Sequence, residues 1–325
     1  MEYSKKNSAK GMKKSNKSDR QRHPHFPFED PPFRLSMGLV KIPECEWFEI
    51  FDLQERALQL AEKRRLLANY QDDVFISDPS AMMASTEVLN LMLEHLPAVR
   101  PELYALGKDS IKLESHTMFE GDEWSTDLEK NKMHPLDLAA RLVQEDLIIM
   151  LPGEEKRPGW WLAAGSVAFP SRWNLKEKFG KTMDVIHSPV PFYKEQLQVS
   201  TNDFFDRMPV NEIFSRRNWS LHNNPSLRQD GTENTSEKPS NKITSVNAGE
   251  YLWLRVERQT LRRLKETGAI LFTIRIHLRP LKEVVKFEGI VNRLTRALSA
   301  LPPEMQTYKQ TNIFADSVKN YLNKF

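Results

Sequence analysis

YLWLRVERQTLRRLKETGAILFTIRIHL, residues 251–278, is the stretch from which the fold can be read. Two runs in it alternate with a period of two, as strands do when successive side chains point to opposite faces of a sheet. In the first, Leu252, Leu254 and Val256 alternate with Trp253, Arg255, Glu257 and Gln259. In the second, Ile270, Phe272, Ile274, Ile276 and Leu278 alternate with Thr273, Arg275 and His277. A Lys/Arg/Glu-rich connection containing Gly268 joins them, so the stretch predicts a β-hairpin with an apolar face on a core. If the two strands pair, Arg255, Glu257, Arg275 and His277 gather on a shared polar face.

Upstream, residues 145–151 (EDLIIML) and 160–169 (WWLAAGSVAF) are short apolar runs ending at Pro152 and Pro170, the length of buried strands. Residues 213–221 (IFSRRNWSL) predict a further strand. Between the second and third of these strands lies helical material. Asn174 can cap LKEKFGKTMDVIH, which Ser188 and Pro189 close, and residues 191–206 add a second helix. Before the strands, Asp52 can cap a helix over 52–69 with Leu53, Ala57, Leu60, Ala61 and Leu67 as its apolar stripe. Shorter helices are expected over 86–95, stopped before Pro97, and over 134–143. Helices near 287–301 and 312–321 end the chain. Two strands, a helical crossover and three strands is the order of a PAS-type fold. The expected architecture is therefore α+β, a PAS-like five-stranded antiparallel sheet with helices over one face and additional N- and C-terminal helices. Such sheets hold ligands between helix and sheet.

Composition sets the limits. The chain has 325 residues and a formal net charge of +3, too small an excess to imply a nucleic-acid partner. Much of that excess lies between Lys5 and Arg22, where eight basic residues face one acid, Asp19. That run lacks apolar periodicity, so residues 1–32 are expected to be a disordered basic tail and 33–325 a single domain. A polar stretch at about 223–249 is read as a disordered insertion. Cys45 is the only cysteine, which excludes an intramolecular disulfide and any cysteine-built zinc or iron–sulfur site. No apolar stretch reaches transmembrane length and no secretory h-region opens the chain, so no membrane role and a cytoplasmic location are expected.

Several chemistries have no motif here: there is no P-loop, no GxGxxG after a strand, no HExxH and no GxSxG. The eight histidines are scattered. His187 ends a helix that a PAS-type arrangement places over the sheet, and SPVP follows it, stiffening the chain through Pro189 and Pro191. A neutral imidazole there can ligate iron. Equally, it can sit at a helix C-terminus against the last carbonyls. The Arg255, Glu257, Arg275 and His277 set is either a buried cluster for anionic groups or a cationic amine, or a solvated outer face with cross-strand ion pairs. Arg216, Arg217 and Trp219 either line a planar ligand or cover a sheet edge.

The stretches LVQEDLIIML, WWLAAGSVAFPSRWNLKEKFGKTMDVIHSPVPFY, RRNW and LRVERQTLRRLKETGAILFTIR resemble the haem-dependent oxidative N-demethylase alpha-subunit-like family, whose fungal members are called HRQ family proteins. The resemblance spans about Phe33 to Tyr308. It implies a PAS-like fold carrying haem b that oxidises small secondary amines with dioxygen and releases formaldehyde. Electrons come in that family from NADPH through a separate reductase carrying flavin and an iron–sulfur cluster. Mapped onto the matching motifs, His187 becomes the candidate axial ligand of the haem iron, with Arg217, Trp219 and Arg275 beside the cofactor. Glu257, Arg255 and His277 become the candidate amine-binding and catalytic side. The chain departs from the family pattern at Lys265, where Pro is usual, and at His277, where Tyr is frequent. A haem-binding sensor or carrier without turnover, and a haem-free interaction protein, are the alternative expectations.

Overall fold

The computed structural model describes residues 26–114, 122–155, 158–230 and 242–325. Ten strands lie in it: β1 (Val40–Ile42), β2 (Phe75–Ser77), β3 (Tyr104–Leu106), β4 (Ser110–Leu113), β5 (Glu123–Ser125), β6 (Asp146–Leu151), β7 (Trp161–Ser166), β8 (Ile213–His222), β9 (Trp253–Arg263) and β10 (Ile270–Pro280). They form a seven-stranded sheet, ordered β1-β8-β9-β10-β6-β7-β2, and a three-stranded sheet, β3-β4-β5, with every ladder antiparallel. The five expected strands, β6 to β10, are neighbours in the middle of the large sheet. The sheet is nevertheless wider than the five strands read from sequence, and the small sheet is an addition. Strands of three or four residues are too short to show a period, so β1 to β5 leave no alternation to read.

Helices cover both faces of the large sheet rather than one. β6 shows why: all of its residues from Asp146 to Met150 are buried, so its apolar run serves two cores. On the first face Leu147, Ile149 and Leu271 pack with Leu60, Val88, Met92, Leu136 and Ala139 from the helices Leu53–Asn69, Met82–Val99 and Pro135–Leu142. On the second face Ile148, Met150, Ile270, Ile274 and Ile276 pack with Met183, Phe205 and Met208, from and just beyond the helices Met183–His187 and Gln198–Arg207. A third core joins Leu252, Leu254 and Val256 to Leu281, Leu294, Phe314 and Val318 near the C-terminus.

Three boundaries differ from the sequence expectation. Pro97 lies inside the helix Met82–Val99 instead of ending before it. Residues 26–32 are described, and Phe28 is buried against Trp219, ring centroids 4.9 Å apart, with Arg293 donating to the carbonyls of Phe26 and Phe28. The ordered chain therefore starts before Phe33, anchored by an aromatic contact that composition does not reveal. Both ends of the expected insertion are also built in. Arg228 and Asp230 form a buried ion pair at 2.7 Å, and Ala248 and Gly249 are buried in a helical turn. Residues 1–25 of the expected tail and 231–241 of the expected insertion lie outside the described residues. Among the described residues no helix is long and apolar enough to cross a membrane.

Candidate cofactor recess

The hairpin register separates the four residues expected to gather on it. Across β9 and β10, His277 lies opposite Val256, Leu278 opposite Arg255, and Arg275 opposite Arg258. Opposed residues share a face, so Arg275 and His277 sit on the first face and Arg255 and Glu257 on the second. Turn length decides this: a shift of one residue in the pairing would have put all four together.

The first-face group is an ion-pair network. Glu49, from the segment leading into the first helix, accepts from Arg217 at 2.6 Å and pairs with Arg258 Nε at 3.0 Å and His277 Nε2 at 3.1 Å. Burial raises the Glu49 carboxyl, but the His277 hydrogen bond and the charges of Arg258 and Arg217 outweigh it and hold the group below its usual range. Arg275 donates to Gln59 Oε1 at 2.6 Å and pairs with Glu55 at 3.2 Å. Trp219, also on this face, packs on Phe28. Arg217, Trp219, Arg275 and His277 thus tie the N-terminal segment and the first helix to the sheet, and the structure does not bring them to His187.

The second face of β8 and β9 is different. Phe214, Arg216, Asn218 and Ser220 on β8, and Glu257 and Gln259 on β9, are only half-buried; β9 is interior to the sheet throughout, whereas β8 is interior only over Ile213–Ser215, where β1 pairs with it. On the first face of β9, by contrast, Leu254, Val256, Arg258 and Thr260 are all buried. The second face is thus only partly covered here, and the space over it is the candidate recess. Phe272 and Leu278 on β10 are half-buried beside it.

His187 lies at this recess, at the end of the helix Met183–His187. Its Nδ1 is 2.9 Å from the Met183 carbonyl, which can only accept, so Nδ1 carries the proton. Its ring stacks on Tyr193, centroids 4.7 Å apart at 18°. Desolvation lowers its pKa, against the opposing carbonyl bond, and the positive charge of Arg216 lowers it further. The imidazole is therefore neutral at pH 7, and its Nε2 lone pair has no partner among the described residues. This is the state in which histidine binds iron, with the second nitrogen fixed by a backbone carbonyl.

Cations surround the rest of the recess. Arg216 projects from β8, its Nε buried and without a hydrogen-bond partner. Burial pulls its guanidinium below the usual arginine range, with Glu257 and then Glu29 opposing. Sequence reading favoured Arg217; strand alternation puts these two adjacent guanidiniums on opposite faces, and Arg216 has the second-face parity. Arg255 is fully buried and donates to Phe169 O at 2.7 Å and Leu227 O at 2.8 Å, with Nε 3.4 Å from Glu257. It positions Glu257, which also accepts from Gln259 at 3.3 Å.

Arg172, Tyr308 and Lys309 complete the rim, and sequence reading had not selected them. Arg172 donates to the Lys309 carbonyl at 2.7 Å, and burial lowers its guanidinium to about 10. Lys309 donates to Asn218 Oδ1 at 3.2 Å, and burial lowers its ammonium to about 8. Both come from stretches without a strand or helix period of their own, so no sequence signal pointed to them. A small, mostly apolar cavity lies apart, lined by residues such as Leu298, Phe314 and Val318; its lining contains no histidine or arginine.

A planar apolar group with carboxylates at its edge suits this donor set. Phe214, Phe272 and Leu278 offer apolar surface, Arg216 has an unused donor, and His187 offers one free nitrogen. Among the described residues no group of three or more His, Cys, Asp or Glu could hold a bare metal ion, so a ligand set of the kind that cages such an ion is not present. A family model described as haem-dependent oxidative N-demethylase, alpha subunit-like, matches residues 41–319, from the first strand of the large sheet into the C-terminal helix, and the chain belongs to that family.

Proposed function

We propose that the chain binds haem b in the second-face recess and, with dioxygen and electrons from a separate reductase, oxidatively demethylates a small amine. The observation that carries this reading is the neutral His187 imidazole, locked through Nδ1 with Nε2 free beside a recess walled by apolar side chains and arginine. In this reading His187 would hold the haem iron, and Arg216 would hold a haem carboxylate through a charge-assisted hydrogen bond. Bound haem supplies the redox-active iron that reacts with dioxygen. The chain's own residues do the rest. Glu257, held by Arg255 and Gln259, attracts the amine N–H and fixes its orientation. The apolar side chains keep water from the reacting methyl group. NADPH, flavin and an iron–sulfur cluster belong to the reductase partner, because the lone Cys45 cannot hold a cluster.

The test is the visible spectrum of purified protein titrated with haem. A Soret band that His187→Ala shifts or abolishes is the expected result. Absence of the band in the unaltered protein, or a band indifferent to His187→Ala, overturns the ligand assignment. Amine-dependent NADPH consumption with formaldehyde release, measured with a reductase, separates an enzyme from a haem carrier or sensor.

A further inference from the structure

The recess holds more positive charge than one carboxylate can balance. Glu257 is the carboxylate whose charge acts most strongly on Arg172, Arg216 and Lys309, and it is 3.4 Å from Arg255. Arg255 has a second acid behind it, Asp146, which is itself held by the backbone N–H groups of Ala168 and Phe169. Arg172 and Lys309 have no such support. Among the described residues, Arg172 donates to the carbonyls of Lys309 and Leu221, and Lys309 to the Asn218 amide and the Trp219 carbonyl. These acceptors are neutral. Arg172 uses two of its five donors in this way, which leaves several for a ligand. Asn218 stands directly opposite Glu257 across β8 and β9, so Lys309 is fastened beside the carboxylate. Glu29 is the other nearby acid, and it is exposed at the rim.

A haem brings two carboxylates and a positively charged iron centre, so it reduces this excess without inverting it. A plain alkylammonium ion entering next to Arg172 and Lys309 meets like charge in a partly desolvated site, where such repulsion is strong. The same ammonium carrying a carboxylate does not, because each of its charges finds its opposite.

We propose that the site takes an N-methylated α-amino acid, with its carboxylate between Arg172 and Lys309 and its methylammonium group on Glu257. This rests on the haem reading above and names its substrate class. The reaction balances as follows. One atom of dioxygen enters a methyl C–H bond. The other leaves as water with two protons and the two electrons delivered by the reductase. The resulting N-hydroxymethyl group collapses as its C–N bond breaks, giving formaldehyde and the unmethylated amino acid. Tyr308, at the rim near Glu257 and Arg172, borders the entrance.

The experiment is calorimetric titration with N-methylglycine and with dimethylamine, on the haem-loaded protein and on the haem-free chain. N-methylglycine is expected to bind the loaded protein about tenfold tighter than dimethylamine, or more. Lys309→Met and Arg172→Gln should each cut N-methylglycine affinity about tenfold while leaving dimethylamine affinity unchanged or improved. Glu257→Gln should weaken both ligands. Soret spectra of the same variants show whether haem loading is intact, so a lost carboxylate contact is not mistaken for lost haem. Dimethylamine binding as tightly as N-methylglycine, or a ratio that neither substitution moves, overturns the proposal. If no haem binds but the haem-free chain takes N-methylglycine in a Lys309-dependent way, the zwitterion site stands and the haem reading falls. If the haem-free chain also takes up neither ligand, both fall.

Discussion

His222 shows how a single side chain ties stability to pH. It is buried at the end of β8, with Nδ1 2.7 Å from Gln229 Oε1 and Nε2 2.7 Å from Ser220 Oγ. The amide oxygen can only accept, so Nδ1 donates and Nε2 accepts from the serine, which fixes the neutral tautomer. Burial, with Arg172, Arg255 and Lys309 nearby, lowers its pKa to about 3. The folded protein therefore resists protonation that the unfolded chain accepts at the ordinary value of 6.5. The resulting stability is complete above pH 6.5 and is lost as pH falls from there toward 3, about 3 kcal/mol of it by pH 4. Urea unfolding at pH 7 and pH 4 should show His222→Gln losing less stability between the two than the unaltered protein. Equal losses would mean that other groups carry the acid sensitivity. None of this is visible in the sequence, where His222 is one of eight scattered histidines. His187 was more legible, because its helix end and the prolines after it are local features.

At the scale of elements, the β9–β10 hairpin was legible as a pair of strands and illegible as a pair of faces. Alternation names the strands, but pairing parity depends on the turn between them, and Lys265–Gly268 does not encode that turn by itself. A distant residue holds it. Glu87, on the helix Met82–Val99, accepts from the backbone N–H groups of Glu266 at 2.7 Å and Thr267 at 2.9 Å, and from the Thr267 hydroxyl at 2.7 Å. Gly268 follows with φ +71°, a conformation that costs residues with a Cβ. Glu87→Ala removes three charge-assisted hydrogen bonds at a partly exposed site and should cost about 1–2 kcal/mol. Glu87→Gln should keep part of this. An unchanged denaturation midpoint for Glu87→Ala would show that the turn holds its register without the helix. The first helix offers a similar lesson. Its buried face includes Arg56, Gln59 and Lys63 while Leu53 and Leu58 are exposed, because it faces the charged first side of the sheet as well as an apolar core. An apolar stripe read from sequence cannot anticipate a polar partner.

Across the whole molecule, segments from the N-terminal and C-terminal parts of the described chain meet at the outer edge of β8. Phe28 meets Trp219 edge to face from the N-terminal side, and Lys309 lies over the same indole, 5.1 Å from its centroid, from the C-terminal side. The C-terminal helix Ala315–Leu322 is fixed by a close approach. A Cβ on Gly249 would lie 2.3 Å from the Tyr321 hydroxyl and 2.7 Å from the ring carbon that bears it. Gly249→Ala should therefore destabilise the protein by about 1–3 kcal/mol. Adding Tyr321→Leu should relieve the clash, so the double variant should lose less than the two single losses combined. Additive losses in thermal or chemical denaturation would count against this contact. If the C-terminal helix shifts, Tyr308 and Lys309 shift with it, so packing far from His187 bears on the recess.

The sequence by itself determined the α+β class, the five central strands, the crossover helices and the family, and it put His187 at a helix end. These follow from periodicity, caps and ordered motifs, which are properties of neighbouring residues. Only the tertiary structure decided that the sheet has seven strands, that both faces are covered, and that Arg216 rather than Arg217 borders the recess. It also moved Arg275 and His277 away from Glu257 and brought Arg172 and Lys309 beside it. Register, edge pairing and the meeting of distant segments depend on contacts between residues far apart in the chain, and local alternation carries no record of them.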